Sequence, residues 1–267
     1  FYKYIVTLKS CNDIPGVDVE YYNDEKEVLL AWARMIQRMD PDVMTGYNIF
    51  GFDYKYLHNR SKKLGCYHKF SKMCRLSGGL TEFKEKELSS AALGNNFLYY
   101  YDMRGRIQID LMKVIQKDFK LQSYKLDYVA SYFIRESINS VEIMGEDEEE
   151  YDLTLSEEES HDYVSLIHTD SIYGLKVGQY ISIYYNDGLS DNKYNKGKKY
   201  HILNLKQGTI TVGGKLDGEE LDTDKYKSFW CQAKDDITPQ DIFAKQKGNA
   251  KDRALIAKYC VQDCVLC

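Results

Sequence analysis

The chain has 267 residues, 43% of them hydrophobic and 13% aromatic, enough for a packed core in one large domain or two smaller ones. Its formal charge of −5 conceals an asymmetry: ten carboxylates and no Lys or Arg lie between residues 145 and 162, leaving +5 on the remainder. No apolar run approaches the roughly 20 residues that cross a bilayer, no signal peptide opens the chain, and seven irregularly spaced cysteines make no disulfide framework, which points to a reduced, intracellular setting.

Residues 2–8 alternate as a strand, and a turn rich in Asn, Asp, Pro and Gly leads to a second strand from Val17 to Tyr22. Asp24-Glu25-Lys26-Glu27 reads as a capping box before a helix whose apolar face is Val28, Trp32, Met35, Ile36 and Met39. Asp40-Pro41-Asp42 ends that helix, and a strand from Val43 runs into Tyr47-Asn48-Ile49-Phe50-Gly51-Phe52-Asp53. This run sets an amide, a ring and a carboxylate at the carboxyl end of a strand, where ligands gather in α/β sheets. A helix from about Asp53 to Leu64 stops at Gly65, and the stretch 66–96 is polar with little predicted structure. Phe97–Asp102 and Arg106–Asp110 read as strands joined around Gly105. Leu111, Val114 and Ile115 start one helix, with Asp110 as its cap, and Leu126, Val129, Ala130 and Phe133 mark another. Strands alternating with helices predict an α/β layer fold.

The acidic run 145–162 has the composition of a solvated or disordered linker. After it, 172–185, 199–205 and 208–216 are short β-like runs separated by turn signals. Helical patterning returns from Asp236 and carries Tyr259-Cys260-Val261-Gln262-Asp263. The β unit therefore interrupts the α/β domain, with 1–135 as its first part, 136–235 as acidic linker and β-rich insert, and 236–267 as its last part. Cys260, Cys264 and Cys267 share one helical face, which predicts buried thiols on a packed surface rather than a zinc site. Lys193, Lys196, Lys198 and Lys199 read as a charged hairpin loop. The chain opens mid-strand at Phe1 and stops mid-helix at Cys267, as a piece of a longer protein does.

Taken singly, an Asp opening a helix is commonly a cap, and a Tyr-x-x-x-Asp on a helix is commonly a solvated pair. Together, two acids distant in sequence and brought close by a fold are what two-metal phosphodiester chemistry requires. Three blocks carry a resemblance: Trp32 through Leu57, including Met39-Asp40-Pro41-Asp42-Val43-Met44-Thr45-Gly46-Tyr47-Asn48; Gly105-Arg106-Ile107-Gln108-Ile109-Asp110 through Ser123-Tyr124-Lys125-Leu126 to Phe133; and Ala257-Lys258-Tyr259-Cys260-Val261-Gln262-Asp263. In that order they resemble family B DNA polymerases of the delta-like branch, which includes those of large eukaryotic DNA viruses. The first and third blocks are similar to the second and third motifs of the 3′→5′ proofreading exonuclease.

The resemblance implies a ribonuclease-H-like domain, a central mixed sheet with helices, interrupted here by the small β-rich insert. It implies two divalent metal ions, Mg2+ or Mn2+, with Asp263 and Asp53 as ligands and Tyr259 orienting the attacking water. Asn48 and Phe52 are then expected to hold the single-stranded primer 3′ end, Asn48 by hydrogen bond and Phe52 by packing. Implied partners are a primer-template and, for the full-length enzyme, deoxynucleoside triphosphates and a sliding clamp, with no membrane, at a nuclear or cytoplasmic viral replication site. The family's first motif, Asp-x-Glu, is expected upstream of Phe1, because Asp18-Val19-Glu20 has the spacing but lies too near Asp53. Asp170-Ser171, after His168-Thr169, echoes a polymerase metal motif in the wrong place. Two further readings remain: a catalytically silent scaffold or single-strand-binding module, and a free-standing DEDD-type exonuclease.

Overall fold

The computed structural model describes residues 2–76, 79–90, 94–145, 163–233 and 237–267. Contacts divide the chain into two compact units, Phe1–Tyr124 with Ile237–Cys267, and Lys125–Asp236. The boundary near 125, where the sequence reading has 135, follows from helix α5 (Leu126–Phe133), whose contacts are with strand β13 (Lys227–Ala233) of the second unit. The acidic run expected as a linker lies, after Gly145, outside the described residues.

In the first unit, β1 (Tyr4–Leu8) and β2 (Asp18–Tyr22) pair in parallel. Asp24 caps α1 (Glu25–Met39) by accepting from Lys26 N at 3.0 Å. Asp40, in the left-handed region at φ 45°, ends the helix as the Asp-Pro-Asp sequence predicts. The buried side of α1 is Leu29, Leu30, Ala33 and Ile36, while Met39 is exposed. Ile36 of the predicted face is buried and Trp32 and Met35 pack against the core, so Met39 is the member that departs. Helix α1 also packs against β1 and β2, α3 (Tyr67–Phe70) and α2 (Tyr54–Lys63), which buries more than one stripe.

Strand β3 (Val43–Gly46) pairs in parallel with β6 (Ile107–Asp110), so Gly46 lies opposite Asp110. Strand β4 (Glu82–Ser90) and β5 (Gly94–Asp102) form a nine-pair antiparallel ladder; β5 includes the expected strand Phe97–Asp102, whereas β4 lies in the stretch 66–96 that shows no pattern in sequence. Lys and Glu on both faces of β4 erase the apolar alternation, and only its base, through Phe83, reaches the core. Accordingly β5 and β6 do not pair with each other, since each finds its partner elsewhere. The expected central mixed sheet is represented by separate two-stranded pairs, since no described strand of this unit offers both edges to a neighbour.

The core of the unit is aromatic: Tyr54, Phe70, Met73, Tyr101 and Met103 are almost fully buried beside Leu29, Leu30 and Ile36. A smaller cluster joins Cys11 and Ile14 to Ala254 and Ala257 of α7 (Ala250–Leu266). The last two helices, α6 (Pro239–Lys247) and α7, each begin with a reciprocal capping box, Thr238 with Asp241 and Asn249 with Asp252.

The second unit is a closed antiparallel barrel. Its strands are β7 (Arg135–Gly145), β8 (Tyr163–Thr169), β9 (Tyr180–Asn186), β10 (Asp191–Lys193), β11 (Lys199–Lys206), β12 (Thr209–Gly213) and β13. They hydrogen-bond in the order β10-β9-β11-β12-β8-β7-β13, and a further ladder between β9 and β13 closes the ring. Closure removes the sheet edges, and Ile167, Ile181, Ile183, Ile202, Ile210, Val212 and Trp230 fill the interior. Inside the wall, Trp230 Nε1 donates to Thr169 Oγ1 at 3.0 Å, and that hydroxyl donates to Ser137 O at 2.7 Å.

Candidate active site

The site is built where β3 and β6 end side by side. Past Gly46 the chain turns at Asn48, whose φ of 59° is a left-handed conformation that Asn tolerates better than most residues. A π-helical turn, Ile49–Asp53, follows and runs into α2. The amides of Gly51 and Phe52 both donate to Asn48 O at 3.0 Å. Such turns are rare in soluble proteins and concentrate at functional positions.

The turn is fastened by Asp110, which is 2% exposed. Its Oδ1 accepts from Asn48 N at 2.9 Å and from Met112 N at 3.1 Å, and its Oδ2 accepts from Phe50 N at 3.0 Å. One carboxylate thus caps α4 (Leu111–Asp118) and also anchors the Asn48 turn. The sequence reading has the cap alone, because the second duty depends on the parallel pairing of β3 with β6. Tyr47 adds another tie, its hydroxyl donating to Tyr124 O at 2.7 Å. A Cβ at Gly51 would stand 2.2 Å from Asn48 Oδ1, so a side chain there would have to displace the Asn48 amide.

Asp53 sits at the junction of the two helical turns and makes no side-chain capping bond. The capping role open to such an Asp is therefore not what this one does. Its residue surface is open, yet the protein crowds its carboxyl enough that desolvation raises the pKa, and the charge of Asp110 raises it further. Phe52 is 62% exposed and lies outside the aromatic core.

Tyr259 and Asp263 sit one turn apart on α7 and are both half-buried. The helix is held at its start by Arg253, whose Nε donates to Ser10 O and whose Nη1 donates to Gly248 O, both at 2.6 Å. At its other end the thiols report the neighbourhood. Cys264 is raised by burial first, then by the charges of Asp263 and Asp53. Cys267 is pushed up to about 11 by burial, Cys264, Asp263, Asp110 and Asp53. The fields of Asp53, Asp110 and Asp263 therefore meet at the last turn of α7. The cysteines themselves correct an expectation: Cys260, Cys264 and Cys267 are exposed over the residue as a whole, because α7 packs through Arg253, Ala254, Ala257 and Leu266, though neighbouring protein crowds the Cys264 and Cys267 thiols.

Among the described residues no group of three or more His, Cys, Asp or Glu side chains could hold a metal ion. Asp53 and Asp263 offer two hard oxygen donors. That suits Mg2+, which commonly takes one or two carboxylates and completes its shell with water and substrate phosphate. Zinc would demand more thiolate or imidazole donors.

Residues 1–129 match the sequence model of the DNA polymerase family B exonuclease domain, and the chain belongs to that family. The DNA polymerase of Pyramimonas orientalis virus is 43% identical over 266 residues, covering 100% of this chain and 19% of that protein. The DNA polymerase of Phaeocystis pouchetii virus is 34% identical over 250 residues, or 90% of this chain and 22% of that protein. The DNA polymerase delta catalytic subunit of Plasmodium falciparum (isolate K1 / Thailand) is 40% identical over 139 residues, or 52% of this chain and 13% of that protein. The chain spans about a fifth of the viral relatives and corresponds to the exonuclease-domain segment of viral and delta-type polymerases.

Proposed function

We propose that this chain is the 3′→5′ proofreading part of a replicative DNA-directed DNA polymerase, with a ribonuclease-H-like catalytic unit and an inserted barrel. What supports the reading is the match of residues 1–129 to the exonuclease-domain model together with the order of the motif blocks. The charges of Asp53 and Asp263, about 200 residues apart in sequence, both act on Cys264 and Cys267 at the end of α7. Bound divalent metal, Mg2+ or Mn2+, supplies a nucleophilic water at neutral pH and neutralises phosphate charge. Asp53 and Asp263 are the residues of this chain that would hold it. Tyr259, one turn before Asp263, would orient the attacking water through its hydroxyl. Asn48 hydrogen-bonds the terminal nucleotide, and Phe52 packs against its base or sugar. A ring has a face for every base, so this contact tolerates any sequence, as removal of arbitrary mismatches requires.

Its substrates are then a primer-template with a frayed single-stranded 3′ end and, in the full-length enzyme, deoxynucleoside triphosphates, with a sliding clamp as a further partner. No helix among the described residues is long and apolar enough to cross a membrane, and action at a nuclear or cytoplasmic viral replication site accords with the viral relatives. Asp53→Ala or Asp263→Ala in the full-length enzyme is expected to abolish excision and spare polymerisation. Normal excision by both variants would refute the assignment. A second reading, a silent scaffold or single-strand-binding module, draws on the absence of a three-donor metal cluster among the described residues. It predicts that the unsubstituted full-length enzyme fails to excise a mismatched 3′ nucleotide. A free-standing DEDD-type exonuclease is the weakest reading, since the viral relatives are several times longer than this chain.

A further inference from the structure

The π-helical turn and the helix α2 that continues it divide their large side chains between core and solvent. Ile49, Phe50, Tyr54 and Leu57 pack into the aromatic core. Phe52 and Tyr56, equally large, do not: they are 62% and 51% exposed, and their rings stack on each other at 6.1 Å and 12°. Leaving two rings in water forgoes the 1.5–3 kcal/mol or so that burying each large apolar side chain gains, so the fold does not account for them. Continuing the same stripe by helical spacing gives Asn59 and Lys63, both exposed. From Phe52 to Lys63 the stripe runs about 16 Å along the axis. Over its length α2 carries Lys55, Arg60, Lys62 and Lys63 and no acidic residue.

The cations of α2 are not equivalent. Arg60 is paired with Glu25, Lys55 Nζ lies 4.0 Å from the Tyr99 ring centroid and donates to its hydroxyl at 2.8 Å, and Lys62 lies over the Tyr67 ring. Lys63 is the cation on the aromatic stripe itself.

We infer that the stripe Phe52–Tyr56–Lys63, running from the π-helical turn along α2, is a binding track for single-stranded DNA leading to Asp53, a proposal that rests on the exonuclease reading above. The ring pair takes an unstacked base near the 3′ end, with Tyr56 as a contact residue alongside Phe52, and Lys63 takes a phosphate further along the strand. Two parallel rings followed by a cation match the alternation of base and phosphate in a single strand, and the acid-free helix removes the repulsion that a polyanion would meet.

The test uses the full-length enzyme and a single-stranded oligodeoxynucleotide carrying 2-aminopurine at its 3′ end. Tyr56→Ala is expected to raise the KM for excision about 5- to 150-fold, the range spanned by one base–ring stack. Its kcat should stay within about twofold, because uniform binding is what is lost. Tyr56→Phe should behave as the unsubstituted enzyme, since the ring and not the hydroxyl makes the contact. In EDTA, where no excision occurs, the fluorescence quench on binding should be lost in Tyr56→Ala and kept in Tyr56→Phe. Lys63→Ala should flatten the salt dependence of binding by about 0.7 in log–log slope. Unchanged KM and quench in Tyr56→Ala, or an unchanged slope in Lys63→Ala, overturns the proposal. Failure of the underlying reading looks different, since Asp53→Ala would then excise normally.

Discussion

Asp110→Asn is the most informative substitution that the fold offers, because it changes one oxygen and no shape. Asp110 Oδ1 serves Asn48 N and Met112 N, and Oδ2 serves Phe50 N at 3.0 Å. Asparagine can keep its carbonyl oxygen in the first position and retain two of the three bonds. Its NH2 group then faces the amide of Phe50, donor against donor. A hydrogen bond to a charged acceptor contributes about 1.5–3 kcal/mol, and a buried amide left without an acceptor costs a similar amount. At 1.4 kcal/mol per factor of ten, the Phe50 amide should exchange with solvent at least about tenfold faster in the variant. The Gly51 and Phe52 amides, which bond to Asn48 O, should follow it because they belong to the same turn. Residues of β1 and β2, which share no bond with Asp110, should be unaffected. Hydrogen–deuterium exchange resolved to single amides measures this directly. Equal exchange at Phe50 in the two proteins would refute the claim that one carboxylate holds the turn.

Gly51→Ala should leave stability nearly unchanged, because the atom it meets is the tip of the Asn48 side chain, but displacing that amide should raise the KM for excision about 5- to 10-fold through one lost hydrogen bond. Steady-state excision alongside urea unfolding separates the two effects. The raised pKa of Asp53 means that the folded state holds its proton more tightly than the unfolded chain does, so its contribution to stability declines as pH rises through the raised value. Asp53→Asn should therefore stabilise the metal-free protein at neutral pH. That gain should vanish as pH falls toward the ordinary carboxylate value, and urea midpoints against pH are the readout. Asp40 has the opposite sign: Arg75 foremost, and Arg106 with it, hold its carboxyl below the usual range, so the stability it lends is present above the ordinary value and is lost as acid protonates it. Asp40→Asn should flatten the acid limb of the same urea series. Cys231, fully buried with its thiol pushed up to about 12 by desolvation, should resist iodoacetamide until unfolding, whereas exposed Cys260 should alkylate in the native state.

Much of the fold was legible because its signals are local. Asp24 and Asp110 read as helix caps and bond as caps, and Asp40 and Gly65 stop helices where their backbones turn left-handed. The motif around Asn48 and Asp53 read as a strand end opening into a helix, and β3, the π-helical turn and α2 have that order. Strand β4 was invisible, since charged residues on both its faces leave no period to detect, whereas most of β5 read as the strand Phe97–Asp102. Strands β7, β8 and β13 of the barrel were missed for a different reason: their partners lie far along the chain, and polar residues such as Ser165, Thr169 and Gln232 are buried in their walls.

By itself, then, the sequence determined the kinds of side chain available: two separated acids, a tyrosine one turn before the second, and an amide and a ring beside the first. Tertiary structure alone decided what surrounds them. Parallel pairing of β3 with β6 delivers Asp110 to the Asn48 turn, α7 packs on Cys11 and Ile14, and the charges of Asp53 and Asp263 both act on Cys267. The reason is physical: capping and turn formation are set by neighbours within a few residues, whereas electrostatic overlap depends on distances that only the folded chain defines.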